Sequence, residues 1–192
     1  MKTLLVSAAF VAALLAPSAA SAQAIPGAVV AVVDLDRVTS ECNACKTAQA
    51  ALKAQLTSFQ GRRDSLASSL QTEQKSIQTA VDGLKGKDPD AALQTRIKAF
   101  QSKAQQSEQE LASQQSQIQR NQAYIQKQIQ DKLNPIYQTV MQRRGANLLV
   151  EVGATLATSQ SVDVTNDVLG ALNGSLPTIV TTAPAQSQPQ GR

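Results

Sequence analysis

The chain has 192 residues, 18 Lys and Arg against 14 Asp and Glu, a formal charge of +4, no His, no Trp, 2 Cys, 2 Tyr and 3 Phe. Without His there is no Ser-His-Asp triad, no Cys-His dyad and no His-containing zinc site, and two Cys cannot complete a Cys₄ site. So few rings, each burying roughly 150–250 Å², argue against a large globular core and for an extended helical protein, not an enzyme, with no cofactor and no metal.

Residues 1–22 read as a secretory signal. Lys2 supplies a positive start, Leu4 to Ala16 is apolar, and Ala20-Ser21-Ala22 offers a small-x-small site for cleavage after Ala22. The apolar stretch reaches only about 20 Å as a helix, against about 30 Å for a bilayer core. Export to a bacterial periplasm is the expected localisation.

Ala28 to Val33 is a β-branched run of the kind that forms a buried strand. Asp34 and Asp36 follow as a carboxylate pair, expected to be a solvated strand exit rather than an acid–base pair. Cys42 and Cys45 have the spacing of a redox CxxC where a strand hands over to a helix. Pro or Gly between them, a nearby Trp and a βαβ setting are all absent. In an oxidising compartment a disulfide is the simpler outcome, and it stabilises little because the loop is short.

From Lys46 to Leu84 a heptad stripe passes through Leu52, Leu56, Phe59, Leu66, Leu70 and Ile77, with Arg63 and Glu73 breaking it toward water. The stripe resumes at Leu93, Ile97 and Phe100, passes Leu111, Ile118 and Ile125, and continues through Ile129, Leu133, Ile136 and Val140. The step from Ile125 to Leu133 is a stutter. Residues 82–90 hold the turn: Gly83 and Gly86 end the first helix, and Asp88 caps the second with Pro89 at its first position. Two helices of about 58 and 80 Å so joined form an antiparallel hairpin, the second overshooting the first or bending at Pro135. Its Gln-rich surface is expected to be a solvated face.

Beyond the hairpin, Leu148 to Val152 is a second strand, Ala154 to Ala157 a third, and Thr165 caps a short helix over Asn166 to Leu172. Residues 174–192, with repeated Pro among polar residues, read as a disordered tail. The fold class is therefore α+β, mainly α: a helical hairpin arm over 46–144 on a small strand-rich head from 28–45 and 145–173. So small a head buries too little to stand alone and is expected to oligomerise through a core including Val30, Val32, Leu149, Val168 and Leu169.

Charge divides along the same line. The arm carries fifteen Lys or Arg against eight Asp or Glu, whereas the head has Arg37 alone against six acidic residues. Around the tip, Lys75, Lys85, Lys87, Arg96 and Lys98 are candidates for attracting an acidic partner or an anionic membrane surface. No aromatic interleaving suggests nucleic acid.

The order of parts resembles the Skp/OmpH family of periplasmic chaperones. The resemblance rests on Ala31-Val32-Val33-Asp34, the Gln-rich hairpin, Leu148-Leu149-Val150 and the segment Val162 to Leu169, VDVTNDVL. It implies a homotrimer whose three arms enclose unfolded outer-membrane proteins without nucleotide, an ATP-independent holdase. Seam residues that open on flexing, such as Leu66, Leu70, Phe100 and Leu111, are further candidates for client contact. The alternative is a structural coiled-coil scaffold or adaptor of the cell envelope. Cys42, Cys45 and the Pro-rich tail depart from the family pattern.

Overall fold

The computed structural model describes residues 25–185, so the signal reading and its cleavage site lie outside the described residues. Strand β1 (Val30–Val33) leads into a short helix α1 (Leu35–Glu41), followed by the arm helices α2 (Asn43–Gly83) and α3 (Ala91–Arg144). Strand β2 (Leu148–Glu151) pairs parallel with β1, Val30 opposite Leu148 and Val33 opposite Glu151. Two 3-10 turns, Val152–Ala154 and Gln160–Val162, then lead to helix α4 (Thr165–Ser175).

Helix α1 replaces the expected solvated strand exit. Asp34 is its N-cap, its Oδ1 accepting from Arg37 N at 2.8 Å, and Asp36 lies in the first turn. Cys42 therefore sits between two helices rather than between strand and helix, and Cys45 lies in the first turn of α2. They form a disulfide whose sulfurs are completely buried, and the Cys42 Sγ accepts from Cys45 N at the start of α2.

At the tip, α2 ends at Gly83 and the turn runs through Lys85 and Gly86, both at positive φ. Asp90, not Asp88, caps α3, its Oδ1 accepting from Leu93 N at 2.8 Å, and Pro89 stays outside the helix. α3 continues through Pro135 and ends on Gly145 in the left-handed conformation at φ 66. Its extra length enters the head, where Leu133, Ile136 and Val140 pack with Ala31, Val33, Val38, Val164, Val168 and Leu172. Ala44 and Cys45 at the start of α2 lie in the same cluster, so the hairpin and the head share both arm helices.

The sheet is small because its continuation is not a strand. Residues 154–157 are a turn end and coil rather than a third strand. The β1 edge is instead met by an isolated bridge from Asp163 to Val32 and by Val164 N donating to Val32 O at 2.8 Å. Asp163 holds the entry to α4: its Oδ1 accepts from Thr165 N at 2.8 Å. Thr165 does not cap α4; its Oγ1 accepts from Asp34 N at 3.0 Å, tying α4 to the exit of β1.

Candidate functional site

Strand parity sorts the head residues. Alternate side chains point to opposite faces, and Ala31 and Val33 enter the core with Leu149 packed beside them. Val30 and its partner Leu148 lie on the other face, 38% and 46% exposed, next to an exposed Val29. Val32 shares that face but is buried, beside the Asp163 bridge. Val168 is fully buried and Leu169 packs partly against the core. Of the expected head core, Val30 alone is open in the single chain.

The tip cations do not act as one group. Arg96 is committed across the hairpin, its Nε 2.7 Å from Glu73 Oε1 and its Nη2 donating to Ser76 Oγ at 2.8 Å. Glu73 therefore does not turn to water; the Arg96 hydrogen bond holds its carboxyl below the usual range. Farther down, Arg62 makes a bidentate pair with Glu110 at 2.7 and 2.9 Å, lowering that carboxyl in the same way. Lys75, Lys85, Lys87 and Lys98 are exposed and form no salt bridge among the described residues.

The arm seam departs from the stripe near the head. Leu66 is buried and Leu70, Phe100 and Leu111 are half-buried, but Leu56 is 43% exposed. Gln55 lies beside it, half-buried, with Nε2 donating to Thr181 O at 3.3 Å. Asn121, only 3% exposed, donates to Gln55 Oε1 at 2.8 Å and accepts from Gln117 Nε2 at 2.7 Å.

This amide cluster grips the tail. Leu176 is buried and Ile179 packs on the head core. Gln128 then exchanges two hydrogen bonds with Val180, accepting from its N at 3.0 Å and donating to its O at 2.8 Å. Ala183 N donates to Asn121 Oδ1 at 2.8 Å, and Ala183 O accepts from Gln117 Nε2 at 3.4 Å. The expected disorder from residue 174 is thus not what residues 174–183 show; 186–192 lie outside the described residues. Composition misses this because the contacts are to backbone, which every sequence offers. The seven-residue spacing of Asn121 and Gln128 was the available signal.

Residues 29–172 match the family described as OmpH, outer membrane protein (OmpH-like). The chain belongs to the OmpH-like family. Its members are periplasmic chaperones and not enzymes, and the chain is accordingly periplasmic. A solved structure from Caulobacter crescentus CB15, described as an outer membrane chaperone (OmpH-like), shares the fold with a TM-score of 0.68. It is 21% identical, over 86% of this chain and 94% of that one. No curated protein matches. In this OmpH-like chain no helix among the described residues is long and apolar enough to cross a membrane.

Proposed function

We propose that the protein is an ATP-independent holdase, exported after cleavage behind Ala22, that keeps unfolded outer-membrane proteins from aggregating. Three copies join through their heads, and the client is held between the three arms by many weak contacts, so that avidity replaces a deep pocket. Client strands kept apart in this way cannot pair edge to edge. Lys75, Lys85, Lys87 and Lys98 attract acidic client segments or an anionic membrane surface; Arg96 serves the hairpin instead.

The observation that carries this reading is the family match over 29–172, which spans both the head and the entire hairpin. The geometry supports the assembly. A sheet of two four-residue strands is marginal by itself, and this one leaves Val30 and Leu148 open at an apolar face.

The test is to dilute a urea-denatured outer-membrane barrel protein into buffer with the purified chaperone and follow turbidity. Suppression at about one assembly per client, without nucleotide, is the expected result. An envelope scaffold would leave the client unprotected, and that outcome would end the holdase reading.

A further inference from the structure

We propose that the α2–α3 groove bounded by Gln55, Gln117, Asn121 and Gln128 is a binding site for an extended, uncharged, β-branched polypeptide segment. Residues 180–183 of the chain's own tail occupy it until such a segment displaces them. This deepens the holdase reading and rests on it for the nature of the partner.

The groove reads backbone. Val180 is held through both its N–H and its carbonyl, Thr181 through its carbonyl, and Ala183 through both groups, always by side-chain amides. An amide side chain carries a donor and an acceptor, as a peptide group does, so Gln128 acts toward Val180 as a neighbouring strand would. Such contacts require an extended backbone rather than one particular sequence, which suits a holdase facing many sequences.

The spacing also fits. Gln128 to Asn121 is two helical turns, about 10.5 Å, and Val180 to Ala183 is three extended residues, about 10 Å. Helix and strand therefore return to register every seven and every three residues. One further step of seven reaches Gln114, which lines the same groove with Ala54, Phe59 and Ile118 beyond Thr182. Gln114 now donates to Glu110 Oε1 at 3.1 Å. The groove therefore offers a longer segment a rung beyond those holding residues 180–183.

The occupant shows the preferred chemistry. Thr178-Ile179-Val180-Thr181-Thr182-Ala183 is uncharged and β-branched in all but one position, the composition of a sheet strand. Its hold is graded. Leu176 and Ile179 root it in the head, whereas Val180 is 56% exposed and depends on hydrogen bonds that water or another backbone can replace. Tethering puts the tail at an effective concentration on the order of millimolar, enough to screen out weak binders.

The test compares the full chain with a variant lacking 180–192, which keeps Leu176 and Ile179. The probe is a fluorescein-labelled peptide with the sequence of residues 177–185, followed by anisotropy, with circular dichroism to verify the fold. Removing the tail is expected to tighten peptide binding about tenfold or more. Gln128→Ala, at the rim of the groove, and Asn121→Leu should each reverse that gain in the shortened chain. Equal affinity with and without the tail, or binding unchanged by Gln128→Ala, overturns the proposal. The barrel-aggregation assay run on the same samples separates the two readings. Protection without peptide binding removes the groove and keeps the holdase; peptide binding without protection does the reverse.

Discussion

Thr165 sits where β1, α1 and α4 meet, only 1% exposed, accepting from Asp34 N through its hydroxyl and donating from its own N–H to Asp163. Thr165→Val keeps the shape and removes the acceptor, leaving a part-buried N–H without its partner. The expected cost is about 1–2 kcal/mol, read as a lowered urea midpoint, while Thr165→Ser retains the bond and most of the stability. Asp163 is coupled to the same residue, and hydrogen bonds from Thr165 hold its carboxyl below the ordinary value. Glu73 and Glu110 are lowered by Arg96 and Arg62. In all three the folded chain holds its charge to lower pH than the unfolded chain does. The stability they contribute is complete above the ordinary carboxylate range near pH 4 and is lost as pH falls through it toward the folded values. Thermal unfolding followed by circular dichroism should therefore change little between about pH 7 and about pH 6, and decline toward about pH 3.

Among the elements, the long ones were legible and the short ones were not. Seam residues such as Leu66, Ile125 and Leu133 repeat over many turns, and all three are buried. Helix α1 has seven residues, too few for a periodicity to emerge, and includes β-branched Val38 and Thr39 directly after a strand. The cap of α3 was displaced by two residues because Asp88 and Asp90 are chemically equal; only the backbone of Pro89 distinguishes them. The docked tail was illegible for a different reason: its grip comes from Gln and Asn side chains that, read singly, belong to a solvated face. Pro135 is exposed within α3 and lacks the N–H that would bond one turn back. Pro135→Ala restores that donor and should raise stability by roughly 1–3 kcal/mol. Unfolding in urea checks it, and an unchanged midpoint would mean that the helix is already adapted to the ring.

At the scale of the molecule, the apolar pair Val30 and Leu148 is where further chains are expected to join. Leu148→Lys places a charge in that seam while touching little of the buried core. The variant should keep the helical signal of the parent but scatter light as a single chain, whereas the parent should scatter as an assembly. A parent that is itself monomeric at micromolar concentration would remove the reason for the substitution. The uneven charge fits this arrangement, since the near-neutral total conceals a basic arm and an acidic head. Encounter with an acidic client should slow as salt is raised.

Both arm helices are rooted in the head, α3 by Leu133, Ile136 and Val140 and α2 by Ala44 and Cys45 of its first turn. In mechanical language, the arm is a cantilever of two rods clamped side by side at one end. A load near the root barely moves such a beam, and the same load near the free end deflects it far more. Clients of different bulk would then be accommodated by displacement that grows toward Gly83 and Asp90, with the head keeping its shape. Spin labels paired between arms should report distances that broaden from root to tip; equal breadth along the arm would mean that the arms do not flex.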